Sequence, residues 1–153
     1  MVRLKQRYII GQVMFDPSAK HREEVTSRSL LSAIREKIGQ FYGEVGTAQL
    51  STSMVVKFHD GECDSGGHGT QLFIIRCARE AEQSIRFAMS AITFIKRCTL
   101  ILRSLSVSGS SRTCISTTED IITKAIDANW ELNDTEKVEI KEKLHHNLRS
   151  FLE

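Results

Sequence analysis

A chain of 153 residues, 41% of them hydrophobic and 26% charged, has enough material for a buried core and shows neither a disordered nor a collagen-like composition. Its longest apolar runs, Leu72 to Ile75 and Ala91 to Ile95, fall far short of the roughly 20 residues that cross a bilayer, so no membrane segment is expected. The net charge of +2 hides an asymmetry: residues 1–115 hold 16 Lys+Arg against 10 Asp+Glu, giving +6, and residues 116–153 hold 5 against 9, giving −4. A basic body with an acidic end suits a polyanion on one surface and protein partners or solvent on another, with ordinary charge scatter as the alternative.

In chain order, Arg7 to Phe15 is rich in aromatic and branched residues and is broken by Asp16 and Pro17, which predicts a first strand and a turn rather than a targeting segment. Leu30, Leu31, Ile34, Ile38, Phe41 and Tyr42 then recur at helical spacing, with Thr26 or Ser27 placed to cap the start and Gly43 to end it. From Thr47 to Phe58 the alternation of Ala48, Leu50, Met54, Val56 and Phe58 with polar residues predicts a second strand that buries one face. A glycine-rich connection, His59 to Gly69, leads to a third strand, Gln71 to Cys77.

The stripe Ala81, Ile85, Ala88, Met89, Ile92 and Ile95 predicts a second helix over Glu80 to Ile95, and Thr99 to Val107 a fourth strand. Beyond Thr113 two more helices are expected, broken near Asn133. The order β-α-β-β-α-β predicts an α+β, ferredoxin-like (RRM-like) sandwich. It would have a four-stranded antiparallel sheet with both helices on one face and the other face open. Residues 1–115 would form that ferredoxin-like domain, and residues 116–153 a C-terminal helical extension packed on it.

Three stretches carry candidate chemistry. Arg3, Lys5 and Arg7 alternate at period two, so a strand that starts early projects all three from one face. Cations so arranged suit a phosphate backbone, each contact steepening the salt dependence of binding by a log-log slope of about 0.9. A solvated edge or frayed terminus is the other reading. Arg76 and Arg79 flank the end of strand three, Arg79 at a helix start that favours anions, although an ion pair with Glu80 fits equally well. The small-residue turn Val107 to Cys114 places Arg112 beside open backbone amides, as a phosphate cradle or as any strand-to-helix turn would.

Other chemistries fit less well. His59, Cys63, His68 and Cys77 lack the paired spacing of a structural zinc site. His145 and His146 are adjacent and point apart on a helix. Cys77 and Cys114 lie near cations with no histidine placed to activate them, and the four cysteines, Cys98 included, are those of a reduced protein of the cytosol or nucleus.

Taken together, Met1 to Tyr8, Arg76 to Glu80 and Val107 to Cys114 resemble the signature segments of the Pop-five family of ribonuclease P and ribonuclease MRP subunits, in order and at matching spacing. Gly43 and Gly46 fall where the family has glycines after its first helix. The likeness covers residues 1 to about 115, and departs from the family pattern at Ser110 and Ser111, in the Cys63 to His68 loop and in the C-terminal helices.

The resemblance implies a non-catalytic subunit in the nucleus and nucleolus that stabilises a catalytic RNA. That RNA uses Mg²⁺ to remove the 5′ leader of precursor tRNA, and the MRP particle processes rRNA. The protein itself would hold no cofactor, and no membrane would be involved. Its partners would be the ribonuclease P or MRP RNA, precursor tRNA through the holoenzyme, a TIM-barrel-like subunit of the same particle and other holoenzyme proteins. The RNA contacts implied are Arg3, Lys5, Arg7, Lys57, Arg76, Arg79 and Arg112. The competing function is a generic RRM-like module that stacks single-stranded RNA on an open sheet, although the third strand supplies only Phe73 for stacking. An enzyme or a ligand-binding regulatory domain would need carboxylate or nucleophile signatures that the sequence lacks.

Overall fold

The computed structural model describes residues 5–60 and 70–152, so Arg3, Cys63 and His68 lie outside the described residues. β1 (Gln6–Phe15) ends where Asp16 accepts hydrogen bonds from the Ser18 amide at 2.8 Å and the Ser18 hydroxyl at 2.5 Å, a side-chain turn that stops the ladder. These bonds hold the Asp16 carboxyl below its usual pKa.

α1 (Ser27–Ser51) opens with a reciprocal cap: Ser29 N–H donates to the Thr26 hydroxyl at 3.3 Å, and the Thr26 amide donates to Ser29 Oγ at 2.7 Å. Sequence periodicity ends this helix at Gly43. The backbone does kink there, with φ 68°, but helical structure resumes and continues to Ser51. Three hydroxyls bond back to carbonyls four residues earlier in this stretch: Thr47 donates to the Gly43 carbonyl at 2.9 Å, Ser51 to that of Thr47 and Thr52 to that of Ala48. The strand expected from Thr47 is shortened to β2 (Val55–His59), and the single buried face expected of it is divided: the register slips after Val56, so that Met54 and Val56 join one core and Phe58 the other.

β3 (Leu72–Ala78) passes through a 3-10 turn, Arg79–Ala81, into α2 (Glu82–Ser90). The helix expected to run to Ile95 stops five residues earlier. Phe94–Ile95 instead forms β4, which pairs with Thr99 and Cys98 at the start of β5 (Cys98–Ser108) around Lys96, at φ 52°. The sheet thus has five antiparallel strands in the order β2-β3-β1-β5-β4, where four were expected. β1 lies between β3 and β5. The Phe73 ring sits so close to Gly11 that a Cβ there would fall 2.4 Å from it.

α3 (Ser111–Asp127) and α4 (Asp134–Leu152) complete the chain. The sheet has a core on each face. One packs Ile9, Val13, Phe73, Ile75, Leu100 and Leu102 against Leu30, Ile34 and Ile38 of α1 and Ile85, Ala88 and Met89 of α2. The other packs Ile10, Phe58, Leu72 and Ile74 against Ile122, Ile126, Ile140, Leu144 and Leu148. The face expected to stay open is therefore covered in part. Each aliphatic side chain buried there contributes about 1.5–3 kcal/mol, which outweighs leaving two amphipathic helices in solvent. A last feature joins β2 to β3: Asp60 accepts from the Thr70 hydroxyl at 2.8 Å and the Gln71 amide at 2.9 Å, bracketing residues 61–69.

Candidate nucleic-acid interface

Antiparallel pairing decides where the three basic stretches meet. β1 pairs with β3 so that Gln6 lies opposite Ala78, Arg7 opposite Cys77 and Tyr8 opposite Arg76; it pairs with β5 so that Tyr8 lies opposite Ser108. The start of β1 is thus flanked by the end of β3 on one side and the end of β5 on the other. The Arg79 amide donates to the Lys5 carbonyl at 2.9 Å, which fastens the turn before α2 to the same place.

Residues 5–8 and 109–111 enclose an open groove of about 460 Å³. Arg7 is half-buried, with its guanidinium over Gly109: a Cβ on that residue would stand 3.3 Å from Nη1. One Arg7 donor, Nη1, reaches the Gln6 carbonyl at 3.0 Å; a guanidinium carries five donors, so most of its capacity is left for a ligand. On the opposite wall Ser110 caps α3, its hydroxyl taking the Thr113 amide at 3.2 Å. The amides of Ser111 and Arg112 precede the first intrahelical bond, leaving two donors at the positive end of the helix dipole beside the groove. Arg112 itself is exposed on this first turn.

Arg76 projects half-buried next to Tyr8, its Nε without a hydrogen-bond partner among the described residues. Arg79 is exposed. Among the described residues, none of Lys5, Arg7, Arg76, Arg79 and Arg112 lies within salt-bridge distance of a carboxylate, and the ion pair envisaged between Arg79 and Glu80 does not form. Among the described residues no carboxylate neutralises the charge of these cations.

Five of the seven sequence candidates gather around the first residues of β1. Lys57 does not: it sits at the bulge of edge strand β2, where the register slips between Val56 and Phe58, two strands from β1 or about 10 Å across the sheet. Arg3 lies outside the described residues. Sequence reasoning overlooked Gln6 and Tyr8 as part of the groove; the signal was present in the expected antiparallel neighbours, since pairing β1 with the last strand carries residue 8 to the small-residue turn.

Burial pushes the Cys77 and Cys114 thiols up to about 11, which leaves them protonated and poorly nucleophilic near neutral pH. Among the described residues no three metal-ligating side chains cluster, and no helix is long and apolar enough to cross a membrane.

Comparison with known proteins gives concordant likenesses. The family model described as "Rpp14/Pop5 family" matches residues 7–118. The chain is 30% identical over 122 residues to the "Probable ribonuclease P/MRP protein subunit POP5" of Arabidopsis thaliana, covering 76% of each protein. It is 27% identical over 121 residues to the "Ribonuclease P/MRP protein subunit POP5" of Schizosaccharomyces pombe, covering 72% of this chain and 80% of the relative. To the "Ribonuclease P protein component 2" of Pyrococcus abyssi it is 33% identical over 109 residues, covering 71% of this chain and 80% of the relative.

Proposed function

The chain belongs to the Rpp14/Pop5 family, and on that premise we propose that it is a non-catalytic protein subunit of the ribonuclease P and ribonuclease MRP ribonucleoproteins, binding RNA backbone in the groove at the start of β1. The observation that carries this reading is the meeting of Lys5 and Arg7 with the Gly109–Ser111 turn, unneutralised by carboxylates among the described residues.

Chemically, the groove suits a phosphodiester. Its two non-bridging oxygens accept from the Arg7 guanidinium on one wall and from the Ser111 and Arg112 amides on the other, while Lys5, Arg76 and Arg79 hold the potential positive along the flanking backbone. No base edge is read by such an arrangement, so recognition rests on backbone and RNA shape. In this reading Lys57 makes at most a peripheral contact. Arg3 extends the cationic row by sequence.

The catalyst is then the RNA subunit, which with bound Mg²⁺ cleaves the 5′ leader of precursor tRNA, or processes rRNA in the MRP particle. The protein contributes positioning and charge neutralisation. Its partners are that RNA, a TIM-barrel-like subunit and further holoenzyme proteins, in the nucleus and nucleolus. The strand order β2-β3-β1-β5 supports a ferredoxin-like body over residues 1–115, elaborated by the β4 hairpin, with residues 116–153 as a helical extension on its second face. That extension also weakens the RRM-like reading, because α3 and α4 occupy sheet area on which single-stranded bases would stack.

The test is to purify the tagged chain from cells and sequence the RNA that accompanies it, and to assay the pure protein on precursor tRNA. Co-purification of a ribonuclease P or MRP RNA with an inactive protein is expected. Cleavage by the protein alone, or attachment only to unrelated single strands, overturns the proposal.

A further inference from the structure

β5 has eleven residues, and its two sides are treated very differently. β1 pairs with it from Leu100 to Ser108, whereas on the outer side β4 reaches only Cys98 and Thr99. Two hydrogen bonds fix which backbone groups face outward. The Thr99 carbonyl accepts from the Asp16 amide at 3.1 Å, so Thr99 is turned toward β1; the Leu100 amide donates to the Thr93 carbonyl at 3.0 Å, so Leu100 is turned away. Alternation along the strand sends the N–H and C=O of Leu102 and Ser104 to the same outer side, where no described strand meets them. The ladder with β1 then slips, Ile10 lying opposite Ser106 and Gly11 opposite Ser104, so the straight part of this margin is Leu100 to Ser104.

A strand edge of this kind is a template for another strand, and a charge on it selects a partner strand of the opposite sign. Here the adjoining surface is apolar: Ile101 is 59% exposed and lies opposite Met14, 46% exposed, on the same face of the sheet. The Ser104 hydroxyl, a buried atom, also has no hydrogen-bond partner among the described residues. The charges nearby are of one sign, with Arg103 on the strand itself and Lys96 and Arg97 in the turn that precedes it; residues 93–108 contain no acid.

We propose that the outer margin of β5 from Leu100 to Ser104 accepts an extended, acid-bearing segment of a partner protein as an added strand. Its main chain completes the hydrogen bonds of Leu102 and Ser104. Its apolar side chains cover Ile101 and Met14, and its carboxylates meet Arg103 and the Lys96–Arg97 turn. Charge argues against a second copy as the occupant, because that copy would bring the same three cations to the seam. The margin is also separate from the RNA groove, which lies beyond the other end of β5.

The probe is a fluorescein-labelled short peptide of alternating valine and glutamate, titrated against the full chain by anisotropy, with the valine–lysine peptide as control. The expected result is saturable binding of the acidic peptide alone, with slowed amide exchange at Leu102 and Ser104. Ser104→Pro, which removes an outward N–H, and Arg103→Glu should each weaken it by about tenfold. Arg103 is exposed, so its variant keeps the test decisive where the proline variant does not fold. Absence of binding, equal binding of both peptides, or binding untouched by Arg103→Glu overturns the proposal. So does a self-association in sedimentation that Ser104→Pro or Arg103→Glu abolishes, since that assigns the margin to a second copy.

Discussion

Arg7 and Gly109 meet just beyond Tyr8 and Ser108, the pair that closes the β1–β5 ladder, so close that a side chain on the glycine would crowd the guanidinium. With a Cβ at 3.3 Å from Nη1, alanine at this position displaces the flexible end of Arg7 without removing its charge. Gly109→Ala should weaken RNA affinity by roughly threefold to tenfold while leaving folding stability within about 0.5 kcal/mol, as for other exposed positions. Filter binding and urea denaturation of the same preparation check both halves.

Phosphate contact has a thermodynamic signature that base contact lacks. Lys5→Ala combined with Arg7→Ala should lower affinity for RNAs of unrelated sequence alike, and should reduce the log-log salt slope by about 0.7–0.9 for each contact removed. A titration series in sodium chloride reads the slope directly. The same double variant with an unaltered slope removes this groove from the interface.

The second core is open to a stability measurement. Leu144 is fully buried between α4 and the sheet, whereas Val138 on the same helix is 54% exposed. Leu144→Ala should cost about 2–5 kcal/mol, and Val138→Ala under about 0.5 kcal/mol. Equal effects in chemical denaturation contradict the packing of α4 on Ile10, Phe58 and Ile74.

Thiol burial makes an alkaline prediction whose sign is fixed by linkage. The folded-state values of Cys77 and Cys114, about 11, stand above the ordinary thiol value of 9.0, so the folded protein holds these protons when the unfolded chain has released them. Their contribution is complete below the unfolded value and is lost as pH rises from 9.0 toward about 11. Stability should therefore fall across that window, and the fall should be shallower in the Cys77→Ala, Cys114→Ala double variant measured under reducing conditions.

Much of the architecture was legible because it is written in local patterns. The residues Tyr8 to Val13 and Leu100 to Val107 have the branched, alternating character of strands, and they are strands. What failed was context. Ala48 and Leu50 alternate with polar neighbours as a strand would, yet the segment is helical to Ser51, with the hydroxyls of Thr47, Ser51 and Thr52 bonded back to carbonyls four residues earlier. Phe94 and Ile95 continue a helical stripe by spacing, but Lys96 adopts a left-handed turn and folds them onto β5.

The candidate site shows the same division. Arg7, Arg76 and Arg112 are separated in sequence; the ladder sets Arg7 opposite Cys77 and Tyr8 opposite Arg76, so the first two share one end of the sheet but project from its opposite faces. Lys57 lies on a strand whose alternation carries no information about distance across the sheet. The covering of the second face depends on Leu144, Leu148 and Ile122 finding Ile74 and Phe58, a contact between distant segments that no local pattern encodes.

The bracket at Asp60 has an engineering corollary. Because one carboxylate oxygen of Asp60 takes both the Thr70 hydroxyl and the Gln71 amide, residues 60 and 70 are held together where β2 hands over to β3. Doubling the length of a pinned connection costs only about 0.6 kcal/mol in closure entropy. This is accordingly the position at which a purification tag or a fluorescent domain can be spliced into the chain while strand pairing and the cationic groove stay as they are.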